Sequence, residues 1–496
     1  MGKQPVDLEL YFKHFRKHII GQRQHYKNFG GERGLLYADW AAGGRLYWPI
    51  EETMLHKVAP WVTNTHNLAS AIGTTMTRAY QKATQKIKEH VNANADDILI
   101  SCDIGIAEGM TKFQSILELR IPDRLRVFTQ LPLAACPVVF MSHMEQYGTY
   151  TSWSETICKT VIIPNDKDGR IDLHQLKLLL RQFPDRTKIV SVAACSHLTG
   201  IETPYHKIAG LAHEHGAVCF VDFTYSAPYS DMDMHPNDTE YLDAIIFSPH
   251  KFLGGPGSCG VLVLNKNLIP NKIPDIPEES THTLNDHPYK IHLEDSEDAV
   301  TPRFLQTIRV ALAIKLKEEM GTEYMKTRGR QINKLVFRRL YKVKKLQILA
   351  EKNQERIPFF SFNIDGLHQH IVAHLLNDKF GIHVGNSYSC TGVYNQYLMN
   401  IGKKDSVRIP KESERDHTLE RTGWVRVSLH PTVTDWEIAQ ICHAIRSIAA
   451  NGQEWKKEYV KTYYGYRPKQ TDSKASIDID EWFEGCCSPK MELHFT

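Results

Sequence analysis

The sequence lacks any apolar run near the roughly 20 residues that a helix needs to cross a bilayer. Its N-terminal segment, MGKQPVDLELYFKHFRKHIIG, does not contain the unbroken apolar core of a signal peptide. The chain also lacks an excess of charge of one sign, since 60 Lys and Arg stand against 57 Asp and Glu. This balance gives no electrostatic reason for binding nucleic acid or an anionic membrane, and we expect neither partner.

Cysteines are few and scattered. There are ten in 496 residues, Cys486 and Cys487 are adjacent, and no two have CxxC spacing. The pattern indicates neither a zinc site nor a disulfide framework. We therefore expect no metal ion and a reducing location, the cytoplasm.

The middle of the chain alternates between short β-rich runs and amphipathic helical stretches. DDILISC (96–102) and AVCFVDF (217–223) are typical of buried strands, and HKIAGLAHEHG (206–216) is typical of a helix. Strands that alternate with helices predict an α/β fold with a mainly parallel sheet and ligand sites at the carboxyl ends of its strands. From about residue 305, a long helical stretch followed by β-rich and helical runs indicates a smaller α+β domain.

A lysine in a glycine-rich turn carries the strongest chemical signal. Lys251 lies in SPHKFLGGPG (248–257), directly after the strand-like run DAIIF (243–247). A lysine at a strand end can form an imine with an aldehyde, and the neighbouring Ser248 and His250 can hold a phosphate. A lone lysine in such a turn is more often simply solvated, so the interpretation needs a second element.

That second element is Asp222, at the tip of the apolar run 217–223. Pyridoxal 5′-phosphate (PLP) needs a carboxylate against its pyridine nitrogen, because the protonated nitrogen makes the ring an electron sink. An aspartate at a strand end can equally cap a turn. An acid-tipped strand, one crossover and a lysine-tipped strand form a much rarer combination, which indicates a PLP site.

Several motifs between about Tyr37 and Trp436 extend this interpretation. They are YADWAAGGRLY (37–47), NTHN (64–67), FQSILELRIPDRL (113–125), TGIETPYHKIAGLAHEHGAVCFVDF (199–223), SPHKFLGGPGSCGVLVL (248–264), SYSCTGVY (387–394) and GWVRVSLHPTVTDWEI (423–438). With these motifs the chain resembles the class V aminotransferase superfamily of fold-type I PLP enzymes, in its cysteine desulfurase and selenocysteine lyase branch.

The resemblance implies a large domain with a mainly parallel seven-stranded sheet and helices on both faces, plus a smaller α+β domain. We accordingly predict four segments. They are an N-terminal segment that packs with the small domain (1–35), a large PLP-binding domain (36–305), a small C-terminal α+β domain (306–462) and a polar tail (463–496).

The resemblance also implies cofactor contacts residue by residue. Lys251 would bond covalently to PLP, Asp222 would face the pyridine nitrogen, and Ser248 and His250 would contact the phosphate. The phosphate loop of relatives matches the start of a helix at Ile106 and Ala107, where the helix dipole and free N–H groups suit an anion.

Three further roles follow from the resemblance. Arg426 matches the arginine that pairs with the substrate α-carboxylate, a role that suits its planar fork, although a surface arginine on a strand is the alternative. Thr301 matches a residue that reaches the neighbouring subunit's phosphate, which implies a homodimer. Cys390 matches the cysteine that attacks the substrate sulfur in desulfurases, although most free cysteines are only small buried thiols.

The sequence departs from the family at three places. Gln146 stands where relatives have the histidine that stacks on the PLP ring, and Tyr147 could supply that stack if the loop shifts by one residue. His197 replaces the asparagine that contacts the 3′-oxygen of PLP. The phosphate loop (103–109) lacks the usual Thr and contains Asp103 and Glu108.

These observations predict a PLP-dependent enzyme acting on an amino acid, with cysteine desulfurase or selenocysteine lyase chemistry and a possible sulfur-acceptor protein as partner. Another class V reaction, such as transamination, epimerisation or decarboxylation, stays open, because the fold hosts all of them. A scaffold protein that has lost catalysis is the third alternative.

Overall fold

The computed structural model describes residues 6–65, 68–102, 106–126, 128, 131–269, 303–388, 423–462, 465–469, 477, 479 and 482–483. The strands within these residues are β1 (His25–Asn28), β2 (Gly31–Gly34), β3 (Leu36–Ala38), β4 (Asp97–Cys102), β5 (Val138–Ser142), β6 (Lys159–Ile163), β7 (Lys188–Ala193), β8 (Ala217–Asp222), β9 (Ala244–Phe247), β10 (Gly260–Asn265), β11 (Leu346–Ile348), β12 (Phe359–Ile364), β13 (Ile382–Tyr388), β14 (Gly423–Ser428), β15 (Tyr459–Thr462) and β16 (Gly465–Pro468). The α-helices are α1 (Leu8–Arg16), α2 (Trp48–Thr53), α3 (Ala71–His90), α4 (Ile106–Ile116), α5 (Asp123–Arg126), α6 (Tyr147–Ser154), α7 (Leu173–Arg181), α8 (Tyr205–His213), α9 (Phe304–Met320), α10 (Thr322–Leu340), α11 (Gln369–Phe380) and α12 (Asp435–Trp455).

A seven-stranded sheet forms the centre of the fold, with the strand order β4-β10-β9-β8-β7-β5-β6. Strands β9, β8, β7, β5 and β6 pair in parallel, whereas β10 runs antiparallel between β9 and β4. Every residue of β5, β7 and β9 is buried, as expected for strands that are covered on both faces. The predicted α/β fold with a mainly parallel seven-stranded sheet is therefore confirmed.

A five-stranded sheet, in the order β11-β12-β14-β13-β3, forms a second core. Its strands pack against α10, α11 and α12, which contribute Ile332, Ile371 and Ile441 among other buried side chains. The edge strand β3 comes from the N-terminal part of the chain and pairs in parallel with β13. Strand β3 is thus built into this smaller sheet, while the division of the chain into four segments stays a prediction.

The long helical stretch that the sequence predicts from about residue 305 is two helices. Helix α9 ends at Met320 and α10 begins at Thr322, with Gly321 between them at a φ of 73°. Glycine enters this left-handed region without the steric cost of a side chain. Helix α9 packs against α3 and α10 packs against α12, so the chain passes from one core to the other at this glycine.

Helix α1 near the N-terminus and strand β16 near the C-terminus are each attached to the rest of the fold. Leu8, Phe12 and Phe15 of α1 are buried in the core of the large sheet. Strand β16, which falls in the predicted polar tail, pairs antiparallel with β15. Among the described residues, no helix is long and apolar enough to span a membrane.

Candidate active site

The carboxyl ends of β8 and β9 bring Asp222 and Lys251 to one edge of the large sheet. Asp222 is the last residue of β8, and β9 is followed by Ser248 and a 3₁₀ turn, Pro249–Lys251. The two strands are parallel neighbours, so their ends meet at the same edge. Asp222 is 4% exposed, Ser248 1% and Lys251 6%. Asp222 and Lys251 are close enough for the charge of each to influence the pKa of the other.

Main-chain carbonyls hold the amine of Lys251. Its Nζ donates to the carbonyl of Ala41 at 2.5 Å and to that of Ala42 at 3.3 Å, and lies 4.3 Å from the ring centroid of Tyr225. Burial, followed by the charge of Arg426, lowers the pKa of Lys251 from 10.5 to about 7. An amine with that pKa is neutral in about half of the molecules at pH 7, and the neutral amine is the nucleophile.

Two glycines allow the chain to approach the lysine turn this closely. The N–H of Gly44 donates to the carbonyl of His250 at 2.9 Å, and a Cβ on Gly44 would lie 1.9 Å from the carbonyl oxygen of Phe252. A Cβ on Gly255 would lie equally close, 1.9 Å, to the carbonyl oxygen of Pro249. A side chain at either glycine would overlap main-chain atoms of the turn. Because glycine has no side chain, the two glycine-containing motifs can approach each other this closely.

Asp222 and Glu145 are two buried carboxyl groups at this edge. Asp222 accepts a hydrogen bond from the N–H of Thr224 at 2.8 Å, and burial raises its pKa to about 6. Glu145 accepts from the Ser142 hydroxyl at 2.5 Å and from the Ala193 N–H at 2.8 Å, while burial, together with the charge of Asp222, raises its pKa to about 8. A protonated ring nitrogen beside Asp222 would supply the countercharge that a buried carboxylate needs.

Strand β14 brings Arg426 to the same edge from the smaller sheet. Its Nη2 donates to Oδ1 of Asp39 at 3.1 Å and its Nη1 donates to the carbonyl of His197 at 3.2 Å. Its Cζ lies 5.7 Å from the ring centroid of Tyr225. Arg426 is 8% exposed and Asp39 is 7% exposed. The arginine is therefore an interior ion-paired group that joins the two sheets, and not a surface residue.

Two histidines offer uncommitted ring nitrogens. Nδ1 of His197 and Nδ1 of His250 have no hydrogen-bond partner among the described residues. Burial and then Arg426 lower the pKa of His197 to about 3, and burial and then Lys251 lower the pKa of His250 to about 4. Both rings are consequently neutral near pH 7, and each uncommitted nitrogen can donate or accept according to its tautomer.

The predicted phosphate loop is described only from its helix onward. Ile106 begins α4, and Ala107 in its first turn is exposed. The carboxylate of Glu108 lies 3.4 Å from Nη2 of Arg303, which also donates through Nη1 to the carbonyl of Ser101 at 3.0 Å. The negative charge that Glu108 brings to the loop is therefore countered by Arg303.

The remaining predicted positions are not joined to this cluster by any described contact. Gln146 precedes α6 as its N-cap residue and is partly exposed, and Tyr147 is 49% exposed. Thr301 and Cys390 lie outside the described residues. Their roles stay predictions.

Sequence reasoning missed three residues of this site. Asp39 lies within the YADWAAGG motif, Tyr225 follows Asp222 by three residues, and Glu145 precedes Gln146. Each lies within a quoted motif or within three residues of an assigned position, so a search of these segments for titratable side chains would have found them.

These residues fit PLP. Lys251 offers an amine for its aldehyde, and Asp222 offers a carboxylate for its ring nitrogen. The Nδ1 atoms of His197 and His250 and the hydroxyl of Thr224 are buried without a partner among the described residues, which suits the cofactor's oxygens.

Comparison with known proteins finds the same family that the sequence motifs resemble. The family model of the class-V aminotransferases matches residues 129–441. A probable cysteine desulfurase of Halobacterium salinarum is 25% identical over 375 residues, which cover 73% of this chain and 84% of the relative. A probable cysteine desulfurase of Staphylococcus epidermidis is 26% identical over 410 residues, which cover 80% of this chain and 91% of the relative.

Solved structures share the fold. The apo cysteine desulfurase of Thermococcus onnurineus aligns with a TM-score of 0.67 at 17% identity, covering 91% of this chain and all of that one. A cysteine desulfurase of Escherichia coli aligns with a TM-score of 0.65 at 18% identity, covering 89% of this chain and 98% of that one. At these identities the likeness concerns the fold alone.

Proposed function

The chain belongs to the class-V aminotransferase family, and from this premise we propose that it is a PLP-dependent enzyme that cleaves the C–S or C–Se bond of an amino acid. The observation that carries the proposal is the buried pair of Asp222 and Lys251 at the ends of adjacent parallel strands. The relatives named probable cysteine desulfurase, which align over most of their length, support the choice of reaction.

Different residues of the chain would contact different parts of the cofactor. Lys251 would hold its aldehyde, Asp222 its ring nitrogen, and His197 its 3′-oxygen. The phosphate would lie among Ser248, His250 and the N-terminus of α4 at Ile106 and Ala107, because a helix N-terminus offers free N–H groups to an anion. When bound, PLP withdraws electrons from the α-carbon of an amino acid.

The substrate would be oriented by charge. Arg426 is the candidate for its α-carboxylate, since a buried guanidinium binds a carboxylate by two parallel hydrogen bonds. The neutral amine of Lys251 would be available to take the proton of the α-carbon, because burial keeps its pKa near 7. The Cys390 thiolate would attack the sulfur or selenium atom, so that an S–S or S–Se bond forms as the bond to the substrate's β-carbon breaks, and that carbon takes up a proton and leaves in alanine.

A second candidate function rests on Gln146. A glutamine has no aromatic face and moves no proton near neutral pH, so it does not replace the histidine that relatives use there. A class V reaction that needs no acid at this position, or a PLP-fold scaffold without catalysis, would accommodate this residue. The amino-acid product distinguishes these alternatives.

We also propose a homodimer, which transfers sulfur to an acceptor protein and lies in the cytoplasm. Thr301 supports the dimer through its match to an inter-subunit phosphate contact. The described cysteines Cys102, Cys136, Cys158, Cys195, Cys219, Cys259 and Cys442 are free thiols, which fits a reducing compartment. Sedimentation of the PLP-loaded protein at micromolar concentration tests the dimer, and a monomer would contradict it.

The test of function uses the full chain, reconstituted with excess PLP and treated with borohydride. We expect a yellow protein in which peptide mapping finds the label on Lys251, and Lys251→Ala should stay unlabelled. Lys317 is an internal control, because it is also buried and its pKa is also lowered to about 7. L-cysteine or L-selenocysteine should then yield alanine. A colourless protein, or label distributed between both lysines, would refute the enzyme proposal; label at Lys251 without alanine would favour another class V reaction.

A further inference from the structure

Residues 324–350 carry a concentrated positive charge. This stretch, which comprises most of α10, the turn after it and β11, contains nine Lys and Arg and no Asp or Glu. The whole chain has a net charge of only +3, so the rest of the chain is net negative. The overall balance, from which we expect no nucleic-acid partner, therefore conceals a local excess of the kind that binds polyanions.

Six of these nine cations are available to a partner. Lys326 and Arg328 pair with carboxylates, and Arg339 is only partly exposed. The other six are exposed and form no ion pair within the part of the chain that the structure describes; they are Arg330, Lys334, Arg338, Lys342, Lys344 and Lys345, here called the basic ridge. Stabilisation of the helix dipole explains cations in a last turn, but Arg330 and Lys334 lie more than one turn before the end of α10.

The helix holds part of the basic ridge at a fixed spacing. Arg330, Lys334 and Arg338 follow one another at intervals of four residues, about 6 Å along the helix axis and on one side of it. The opposite side of α10 is buried through Met325, Ile332, Val336, Phe337 and Leu340, among others. The cations are therefore presented by an anchored element, in contrast to those of a mobile tail.

The turn after α10 contains lysine where the backbone favours glycine. Lys342 has a φ of 52° and Lys345 a φ of 67°, in the left-handed region that side chains avoid. The N–H of Asp365 donates to the carbonyl of Lys345 at 2.8 Å, so this turn is tied to the neighbouring chain. Glycine would adopt these angles without the steric cost. Stability of the fold thus does not account for lysine at either position, which indicates a use for the charge.

The side chains around the basic ridge favour one kind of polyanion. The large apolar side chains that are exposed within residues 324–350 are Tyr324 and Tyr341, and the ring of Tyr341 lies 5.0 Å from Nζ of Lys342. A protein interface has an apolar core depleted of charge, and a helix on a membrane surface inserts an apolar face, but the apolar side of α10 is already buried. Exposed cations beside one exposed aromatic ring suit nucleic acid, since cations contact phosphates and a ring stacks on an unpaired base.

We propose that the basic ridge and Tyr341 form a binding surface for single-stranded nucleic acid. The six cations contact backbone phosphates, and the ring of Tyr341, which is 64% exposed, stacks on one base. Phosphates and base faces are common to RNA and DNA, so the surface accepts both and reads no particular sequence. This function goes beyond the proposed enzyme and does not depend on it.

The test measures fluorescence anisotropy of labelled oligouridylate and oligothymidylate, each of about 20 nucleotides, with the full chain. We expect both to bind, with log affinity falling against log salt concentration at a slope of about −4, because each cation on a single strand contributes about −0.7. Replacing Lys342, Lys344 and Lys345 together by Gln should reduce this slope by about 2 and weaken binding at least about tenfold at low salt.

A matched variant controls for net charge. Lys82, Lys207 and Lys461 are exposed lysines of α3, α8 and β15, outside the basic ridge. Their joint replacement by Gln removes the same charge and should leave both the affinity and the salt slope nearly unchanged. An equal loss in this control would overturn the proposal, because the binding would then follow net charge alone.

Tyr341 is tested separately from the cations. Tyr341→Ala should weaken binding of the single strands about fivefold or more and leave the salt slope unchanged, whereas Tyr341→Phe should retain the affinity. Binding of a duplex of the same length should not respond to Tyr341→Ala, since its bases are already stacked. No effect of Tyr341→Ala on the single strands would overturn the assignment of the ring.

Stability separates a binding role from a structural one. Lys342→Gly and Lys345→Gly relieve the backbone, so we expect an equal or higher melting temperature together with weaker binding. A lower melting temperature with unchanged affinity would assign these lysines to the fold and overturn the proposal.

The remaining arms distinguish other anions and the proposed enzyme. Binding of vesicles containing phosphatidylserine, or of polyglutamate, as tight as that of the oligonucleotides would overturn the proposal, as would no binding of either oligonucleotide at about 50 mM salt. Borohydride should label Lys251 in every variant. Label without oligonucleotide binding refutes this surface alone, and oligonucleotide binding without label refutes the cofactor assignment alone.

Discussion

The depressed pKa of Lys251 predicts an unusual pH dependence for capture of the cofactor. An ordinary lysine has a pKa near 10.4, so at pH 7 only about one amine in 2,500 is neutral. Burial and the charge of Arg426 lower the pKa of Lys251 to about 7, where half of the amines are neutral. At pH 7 the reactive population is therefore about a thousandfold larger than for an exposed lysine.

The assay follows the visible band while PLP is mixed with the cofactor-free full chain between pH 5.5 and 10. The capture rate should be nearly constant above pH 8 and fall about tenfold per pH unit well below pH 7, because protonation removes the nucleophile. Lys251→Ala supplies the blank. Arg426→Gln removes the second cause of the depressed pKa, so it should move the midpoint of the profile to higher pH, whereas Arg426→Lys keeps the charge and should move it less.

Two outcomes would refute this reasoning. A rate that keeps rising through pH 9 would mean that the Lys251 amine is solvated like an ordinary lysine. If the pH profile of the capture rate has its midpoint near 7 and Arg426→Gln does not move it, the charge of Arg426 does not affect the pKa of the Lys251 amine.

Three further predictions concern other residues. Gly44→Ala should lower the free energy of unfolding by about 1–3 kcal/mol in chemical denaturation, because its Cβ would overlap the Phe252 carbonyl. A Cβ on Gly43 would meet nothing within 4 Å, so Gly43→Ala should change the free energy of unfolding far less. Equal losses in the two variants would contradict the packing argument. Gln146→His should raise alanine production from L-cysteine, measured under saturating PLP, if the desulfurase framework is intact; no gain would favour another class V reaction. Cys390→Ala should abolish sulfide release while PLP stays bound to the protein, and unchanged alanine and sulfide would make that thiol structural.

The strands of the large sheet could be predicted because their signal is local. Runs such as AVCFVDF are apolar throughout, and the structure has the corresponding strand at Ala217–Asp222. The helical stretch from about residue 305 was predicted as continuous, since periodicity of apolar residues extends across Gly321, and only the backbone angle of that glycine divides it.

The site was only partly predictable, because its missing members act across large separations in sequence. Asp39 and Arg426 are 387 positions apart and become partners only when β3 joins the sheet of β14. Periodicity carries no information about such a pair. The carbonyls of Ala41 and Ala42 that hold Lys251 are likewise backbone atoms, which no residue type reveals.

The nine residues from Leu36 to Gly44 connect the five-stranded sheet directly to the turn that contains Lys251. At one end, β3 is fastened to the five-stranded sheet through β13, and at the other Gly44 is fastened to the lysine turn through the His250 carbonyl. Between these two attachments lie Asp39 and the carbonyls of Ala41 and Ala42, which accept hydrogen bonds from the Lys251 amine. A displacement of the smaller sheet relative to the lysine turn would therefore move Asp39 and the two carbonyls that bind the Lys251 amine together.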